Sequence, residues 1–179
     1  RFFQYVRLDQ AVIAALVVRM LNLARPKCLA LDQTNWKVGR HDVNILMLAL
    51  VTRRFRIPLF WTALGHQGNS NTDQRIALLN RYLSRFDPSS IELLLADREF
   101  IGAAWFKFLI DAKIPFAIRV RSELIMSLPD GRLWSIESLL RNKRGRRTIH
   151  TLNVILPDTQ LPVNLAAKQL TSGEWLVVM

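Results

Sequence analysis

The chain has 179 residues, with 25 Lys+Arg against 14 Asp+Glu and a formal net charge of +11. Half of the residues are hydrophobic and 22% are charged. That balance excludes general disorder and suits one compact domain, or one domain with a sizeable insertion. A single cysteine, Cys28, excludes a disulfide framework and a thiolate zinc cluster, and makes a reducing compartment the simpler assumption. The longest apolar stretches, Ala11–Val18 and Ile45–Val51, fall far short of the roughly 18 apolar residues a membrane span needs. Arg1 to Tyr5 carries no cleavable signal. Both ends read as cut, the last inside the apolar run Trp175 to Met179, so a fragment of a longer protein is expected.

Leu8 to Ala24 reads as a helix stopped by Pro26. Cys28 to Leu31 reads as a short buried strand ending at Asp32, with a turn at Val38-Gly39-Arg40. Val43 to Thr52 and Ile57 to Leu64 read as two further strands, reversed between them at Arg53 to Arg56. Short connections predict an antiparallel meander. After the polar loop Gly65 to Asn71, a helix is expected from Thr72 to Arg85, capped by Asn71 and Gln74, with Ile76, Leu79, Leu83 and Phe86 on its apolar face. Asp87 to Ser90 breaks it. Ile91 to Ala96 reads as a fourth strand, Trp105, Phe108, Leu109 and Ala112 mark a helix, and Phe116 to Val120 reads as a fifth strand. The order is β-β-β-α-β-α-β, one of several mixed α/β possibilities. Beyond Arg121 the chain turns β-rich. Strands are expected at Leu124–Met126, Thr148–Leu156, Leu161–Ala167 and Glu174–Met179, with a short helix over Ser135–Leu140.

Basic residues cluster in three places. Arg141 to Arg147 holds five cations in seven residues, Arg53, Arg54 and Arg56 form a second group, and Arg119 with Arg121 a third. Together with a pI near 11, they point to a surface that tracks phosphates. A soluble protein that happens to be basic is the alternative.

Two carboxylates stand out by position. Asp32 and Asp97 each follow an apolar strand. A buried, unpaired carboxylate is costly and calls for a partner, a cap or a metal. A turn or capping role answers that need as well as a metal does. Two such acids on one sheet suit Mg²⁺, which takes carboxylate oxygens alongside substrate phosphates. His41, His66 and His150 lack zinc spacing, and Cys28 reads as a packed thiol. No GxSxG or Walker-type loop occurs. The five tryptophans read mostly as core, with Trp36 and Trp134 as candidates for stacking on bases.

These segments carry a resemblance. Ala30 to Lys37 (ALDQTNWK) resembles the motif around the first catalytic Asp of insertion-sequence transposases of the DDE class. Gly68 to Thr72 (GNSNT) resembles the loop before their helix. Leu95 to Phe100 (LADREF) resembles the motif around their second catalytic Asp. The likeness runs in order from about Pro26 to Arg121, and the insertion-sequence-4 type is the most similar group.

The resemblance implies a ribonuclease H-like mixed sheet with a β-rich insertion domain. Residues 1–25 would be an N-terminal helical segment, 26–121 part of the catalytic core, and 122–179 an incomplete insertion. It implies metal-dependent cleavage and strand transfer at insertion-sequence ends, with two Mg²⁺ (or Mn²⁺) ions. Asp32 would bridge the ions and Asp97 would bind one. Arg98, Arg119, Arg121, Arg144, Arg146 and Arg147 become candidate contacts to double-stranded DNA, and Glu99 a support for the Asp97 loop. The family's Glu lies in a Tyr/Arg/Glu signature that this sequence lacks, and Glu123, Glu137 and Glu174 have no such context. The third acid is therefore expected beyond Met179, and the chain alone is expected to be inactive. Terminal repeats and target DNA, a homodimer on DNA, no membrane, and the bacterial cytoplasm with the nucleoid complete the expectation. The rival readings are a non-catalytic DNA-binding fragment or domesticated regulator with the same fold, and a basic RNA-binding protein.

Overall fold

The computed structural model describes residues 8–21, 27–143 and 148–179. The chain is mixed α/β and divides into two compact units, residues 1–95 with 112–115 and residues 96–111 with 116–179.

In the first unit, helix α1 (Gln10–Met20) precedes strands β1 (Lys27–Val38), β2 (His41–Val51) and β3 (Arg56–Leu64). The three strands form the expected antiparallel meander. The β1–β2 ladder runs from Leu29 opposite Leu50 to Val38 opposite His41. Gly39, at φ +62°, and Arg40 close it, a two-residue turn that needs positive φ. β4 (Ile91–Ala96) lies beside β1, so the order is β3-β2-β1-β4.

Strand alternation divides the sheet. Leu29 and Leu31 share a face with Leu46, Leu48 and Phe60, all buried. Helix α2 (Thr72–Leu83) packs on β2 and β3, with Tyr82 edge-on to Phe60 at 6.2 Å. The capping box is present: Asn71 accepts the Gln74 N–H, and Gln74 accepts the Asn71 N–H.

Several boundaries differ from expectation. α1 spans 10–20 rather than 8–24, and Ala24 and Pro26 lie outside the described residues. β1 continues six residues past Asp32, because the ladder with β2 satisfies the backbone of the polar stretch Gln33–Lys37. The buried positions of α2 are Arg75, Leu78, Leu79 and Tyr82, so Ile76 and Leu83 sit at the margin. The face turns because Tyr82 reaches Ser90 (2.8 Å) and packs on Phe86, while Arg75 bonds Ser70.

In the second unit, α3 (Ala103–Asp111) buries Trp105, Phe106 and Leu109. β5 (Phe116–Val120), β6 (Ile125–Ser127), β7 (Leu133–Ser135), β8 (Ile149–Ile155), β9 (Pro162–Gln169) and β10 (Trp175–Val178) form a sheet ordered β5-β10-β9-β8-β6-β7. β7 has no counterpart among the expected strands; it pairs with β6, and Ser135 then caps the short helix α4 (Ile136–Leu140). Only one of the five tryptophans, Trp105, is fully buried, and Trp36 and Trp134 are exposed. Among the described residues, no helix is long and apolar enough to cross a membrane.

Candidate active site

Asp32 belongs to the first unit and Asp97 to the second. On β1, Asp32 alternates with Leu31 and Gln33 and pairs with Met47, which places it on the face opposite Leu31 and Phe60. Its side chain is 44% exposed. One oxygen accepts the Gln33 N–H at 2.9 Å, and the other lies 3.9 Å from an Arg56 guanidinium nitrogen.

Asp97 follows β4 and opens a turn. Its carbonyl accepts the Phe100 N–H at 3.0 Å, and its carboxylate accepts the Arg98 N–H at 2.7 Å. The side chain is 60% exposed, with Arg119 at 4.0 Å. Neither carboxylate is buried or unpaired, contrary to what the apolar strands before them lead one to expect. Both are open to water, and each has a loose guanidinium neighbour whose exposed pairing contributes about 0–1 kcal/mol. Open carboxylates need no compensating partner and keep lone pairs accessible for a ligand.

Gln33, the residue after Asp32, gathers a polar network around itself. Its Nε2 donates to Asn44 Oδ1 (2.9 Å) and to the Gly68 carbonyl (2.7 Å), and its Oε1 accepts the Ser70 N–H at 2.8 Å. Asn44, 2% exposed, donates to the carbonyls of His66 and Gly68. Buried Arg75 donates to Ser70 Oγ at 3.1 Å and to its carbonyl. The loop 65–71 is therefore tied to the strand of Asp32 by buried polar groups, while His66, Gln67 and Asn69 stay exposed. The His66 Nδ1–H donates to the Gln67 carbonyl at 2.9 Å, which leaves Nε2 to accept from Gln74 at 3.0 Å. Motif spacing singles out this loop; nothing in the sequence points to the Asn44 clamp, whose loop partners lie more than twenty residues away.

In the second unit, Arg98, Arg119 and Arg121 line one cavity of about 620 Å³ together with Glu123, Glu137, Glu174 and Trp175. The alternation of Arg119 with Arg121 signals the basic wall; the acidic wall carries no such signal. Arg144, Arg146 and Arg147 lie outside the described residues. Cys28 is half-buried, and burial first, then the Glu92 charge, push its thiol pKa up. Among the described residues, no three His, Cys, Asp or Glu side chains gather as a metal cluster. The donor chemistry of Asp32 and Asp97 suits a hard divalent cation, as a partial ligand set.

The described residues thus give a mixed α/β chain with two solvent-open aspartates, each beside a guanidinium group. Residues 24–160 match the family model described as the transposase DDE domain, and the chain belongs to that DDE transposase family. No curated protein matches it. Among solved structures, the catalytic domain of the Mos1 mariner transposase is similar at 12% identity with a TM-score of 0.38. The match covers 62% of this chain and 62% of that one, less than two thirds of its length. At that score the superposition bears on neither topology nor chemistry.

Proposed function

We propose that this chain is the catalytic part of a DNA transposase of the insertion-sequence-4 type. On this reading 26–121 belongs to a ribonuclease H-like core, 1–25 to an N-terminal helical segment and 122–179 to a β-rich insertion domain. The family match over 24–160, which includes both aspartates and both flanking motifs, carries the proposal.

Asp32 and Asp97 would each serve as a carboxylate ligand for Mg²⁺ or Mn²⁺. Such metal ions would supply Lewis-acid stabilisation of a phosphodiester displacement. The chain's own residues do the rest. Gln33 and Asn44 fix the strand and loop next to Asp32. Arg98, Arg119 and Arg121 take DNA phosphates, and Arg144, Arg146 and Arg147 extend that contact. The exposure of both carboxylates supports the reading, since a metal site shared with DNA has to be reachable from solvent. A third carboxylate comes from outside this sequence, because none of its glutamates sits in a Tyr/Arg/Glu signature. The substrate is double-stranded DNA, bound by a homodimer at the bacterial nucleoid.

The test is strand cleavage of terminal-repeat DNA by a longer chain that carries the third acid, in Mg²⁺ and Mn²⁺. Asp32→Asn and Asp97→Asn should each reduce cleavage on the order of a thousandfold or more, because a lost ligand misplaces the reacting phosphate. Full activity in either variant would remove that aspartate from the site.

A further inference from the structure

The connection between β2 and β3 is held by its own hydrogen bonds. Val51 pairs with Arg56, so Thr52 to Phe55 form the tip. Thr52 Oγ1 accepts the N–H of Arg54 at 3.3 Å and of Phe55 at 3.0 Å, and donates to the Phe55 carbonyl at 2.8 Å. The Thr52 N–H donates to the same carbonyl at 3.0 Å. A hydroxyl that bonds the backbone across a turn in this way fixes its conformation. The turn presents Arg53, Arg54, Phe55 and Arg56, all exposed. Phe55 is 61% exposed, more than Trp36 at 49% or Trp134 at 42%.

Arg56 shares a sheet face with Asp32 and reaches to within 3.9 Å of its carboxylate. By the register, Ala49 lies between them on that face, and its methyl group leaves room for the arginine side chain. About five residues of strand and two strand spacings separate the tip from Asp32, roughly 20 Å, or about six nucleotides along one DNA strand. The charge here is one-sided, because the sequence has no acid between Asp42 and Asp73. All three cations are arginines, whose planar forks match phosphate oxygens. An isolated exposed apolar side chain is ordinary. A ring held on a fixed turn between guanidinium groups is different: it joins a stacking platform to phosphate contacts, the combination that binds unpaired nucleic acid.

We propose that the turn 52–56 binds an unpaired segment of DNA, with one base stacked on Phe55 and the adjoining phosphates held by Arg53 and Arg54. Arg56 links the turn to the Asp32 carboxylate. In a paired duplex the base faces are covered by their neighbours, so the ring finds a partner only where a strand is unpaired, at a frayed end or a fork. Every base offers a π face, so the preference is for unpaired structure and not for sequence. The turn loses little conformational freedom when the base arrives, since the Thr52 bonds have already ordered it. The proposal rests on the reading of this chain as part of a DNA transposase, and adds to it a contact that tells unpaired from paired strands.

The test compares binding of this chain to a forked duplex and to a blunt duplex of equal length in the same salt. The fork should bind at least about fivefold more tightly, and 2-aminopurine placed at the fork should lose fluorescence as it stacks. Phe55→Ala, at an exposed position, should weaken fork binding about tenfold and blunt binding less than about twofold, with circular dichroism unchanged. Phe55→Trp should restore the preference. Arg53→Ala together with Arg54→Ala should reduce the slope of log K against log[salt] on the fork by about two. Fork preference and quenching that survive Phe55→Ala overturn the proposal and leave the transposase reading standing. Equal binding of fork and blunt duplex by the parent chain does the same. Absence of any DNA affinity overturns both. Binding to phosphatidylglycerol vesicles that depends on Phe55, with fork binding indifferent to Phe55→Ala, assigns the turn to an anionic membrane surface instead.

Discussion

Gln33 and Asn44 meet diagonally across the β1–β2 ladder, with Gln33 Nε2 donating to Asn44 Oδ1 at 2.9 Å. Both amides also donate to the carbonyl of Gly68, at 2.7 and 2.8 Å. One carbonyl with two donors ties a surface loop to the strand next to Asp32. Asn44→Leu removes a buried donor from the carbonyls of both His66 and Gly68, and should cost about 1–3 kcal/mol. Thermal unfolding should show a Tm lower by several degrees, and limited proteolysis should show faster cutting in 65–71. Unchanged melting and cutting would mean that Gln33 and the Arg75–Ser70 contact hold the loop without Asn44.

The two aspartates should behave oppositely in stability and in metal binding. Each is solvent-open, with an arginine at 3.9 or 4.0 Å. Asp32→Asn and Asp97→Asn should therefore change unfolding free energy by less than about 1 kcal/mol. Titration with Mn²⁺ should broaden resonances near Asp32 and Asp97 in the parent chain, and less in either variant. Broadening confined to other residues would place the cation elsewhere.

What could be read from sequence depends on what each element rests on. Ile91–Ala96 and Phe116–Val120 appear with the expected ends because uninterrupted apolar runs are local signals. The second half of β1 is Gln-Thr-Asn-Trp-Lys, polar and without clear alternation, and only its partner strand makes it a strand. Arg75 lies on the buried face of α2 because Ser70 receives it, a contact that periodicity cannot register. For the same reason the motifs locate Asp32 and Asp97 but mislead on their burial. The apolar run before an acid says nothing about which face of the strand that acid takes, and strand alternation puts Asp32 on the face opposite Leu31 and Phe60.

The Cys28 thiol should react slowly with iodoacetamide. Burial and then the Glu92 carboxylate raise its pKa, so the thiolate fraction at a given pH is smaller than in the unfolded chain. The rate should rise with pH at higher values than for the denatured protein, and Glu92→Gln should shift that profile toward lower pH. By the same sign, the neutral thiol is favoured in the fold, so its contribution to stability is present below the unfolded pKa and declines as pH rises through the folded one. Identical profiles for folded and denatured protein would contradict the burial.

DNA affinity should be sequence-independent in large part and steeply dependent on salt. Neutralising about four to six phosphates gives a slope of log K against log[salt] of roughly −4 to −5. Replacing Arg119 and Arg121 with Ala should reduce that slope by about two, and replacing Arg144, Arg146 and Arg147 by up to about three. Arg119 is also the neighbour of Asp97, so Arg121→Ala alone separates a phosphate contact from an effect on the carboxylate. A slope insensitive to all five would put the DNA on another face.

The chain of 179 residues should neither cleave nor join DNA by itself. Among its described residues, no three metal-binding side chains gather, and Glu123, Glu137 and Glu174 line the cavity with Arg98, Arg119 and Arg121 instead. The three arginines of the same cavity offset the charge of these glutamates and weaken its pull on a divalent cation. A two-metal displacement needs both ions fixed, and a positional error of about 1 Å already costs roughly a hundredfold. An absent ligand should leave no measurable turnover. Pre-cut and uncut terminal-repeat duplexes in Mn²⁺, incubated with this chain and with a longer one carrying the third acid, give the comparison. Products from the longer chain alone fit the proposal. Cleavage by this chain that disappears in Asp97→Asn and in one of Glu123→Gln, Glu137→Gln or Glu174→Gln would identify that glutamate as the third acid and overturn its assignment outside the sequence.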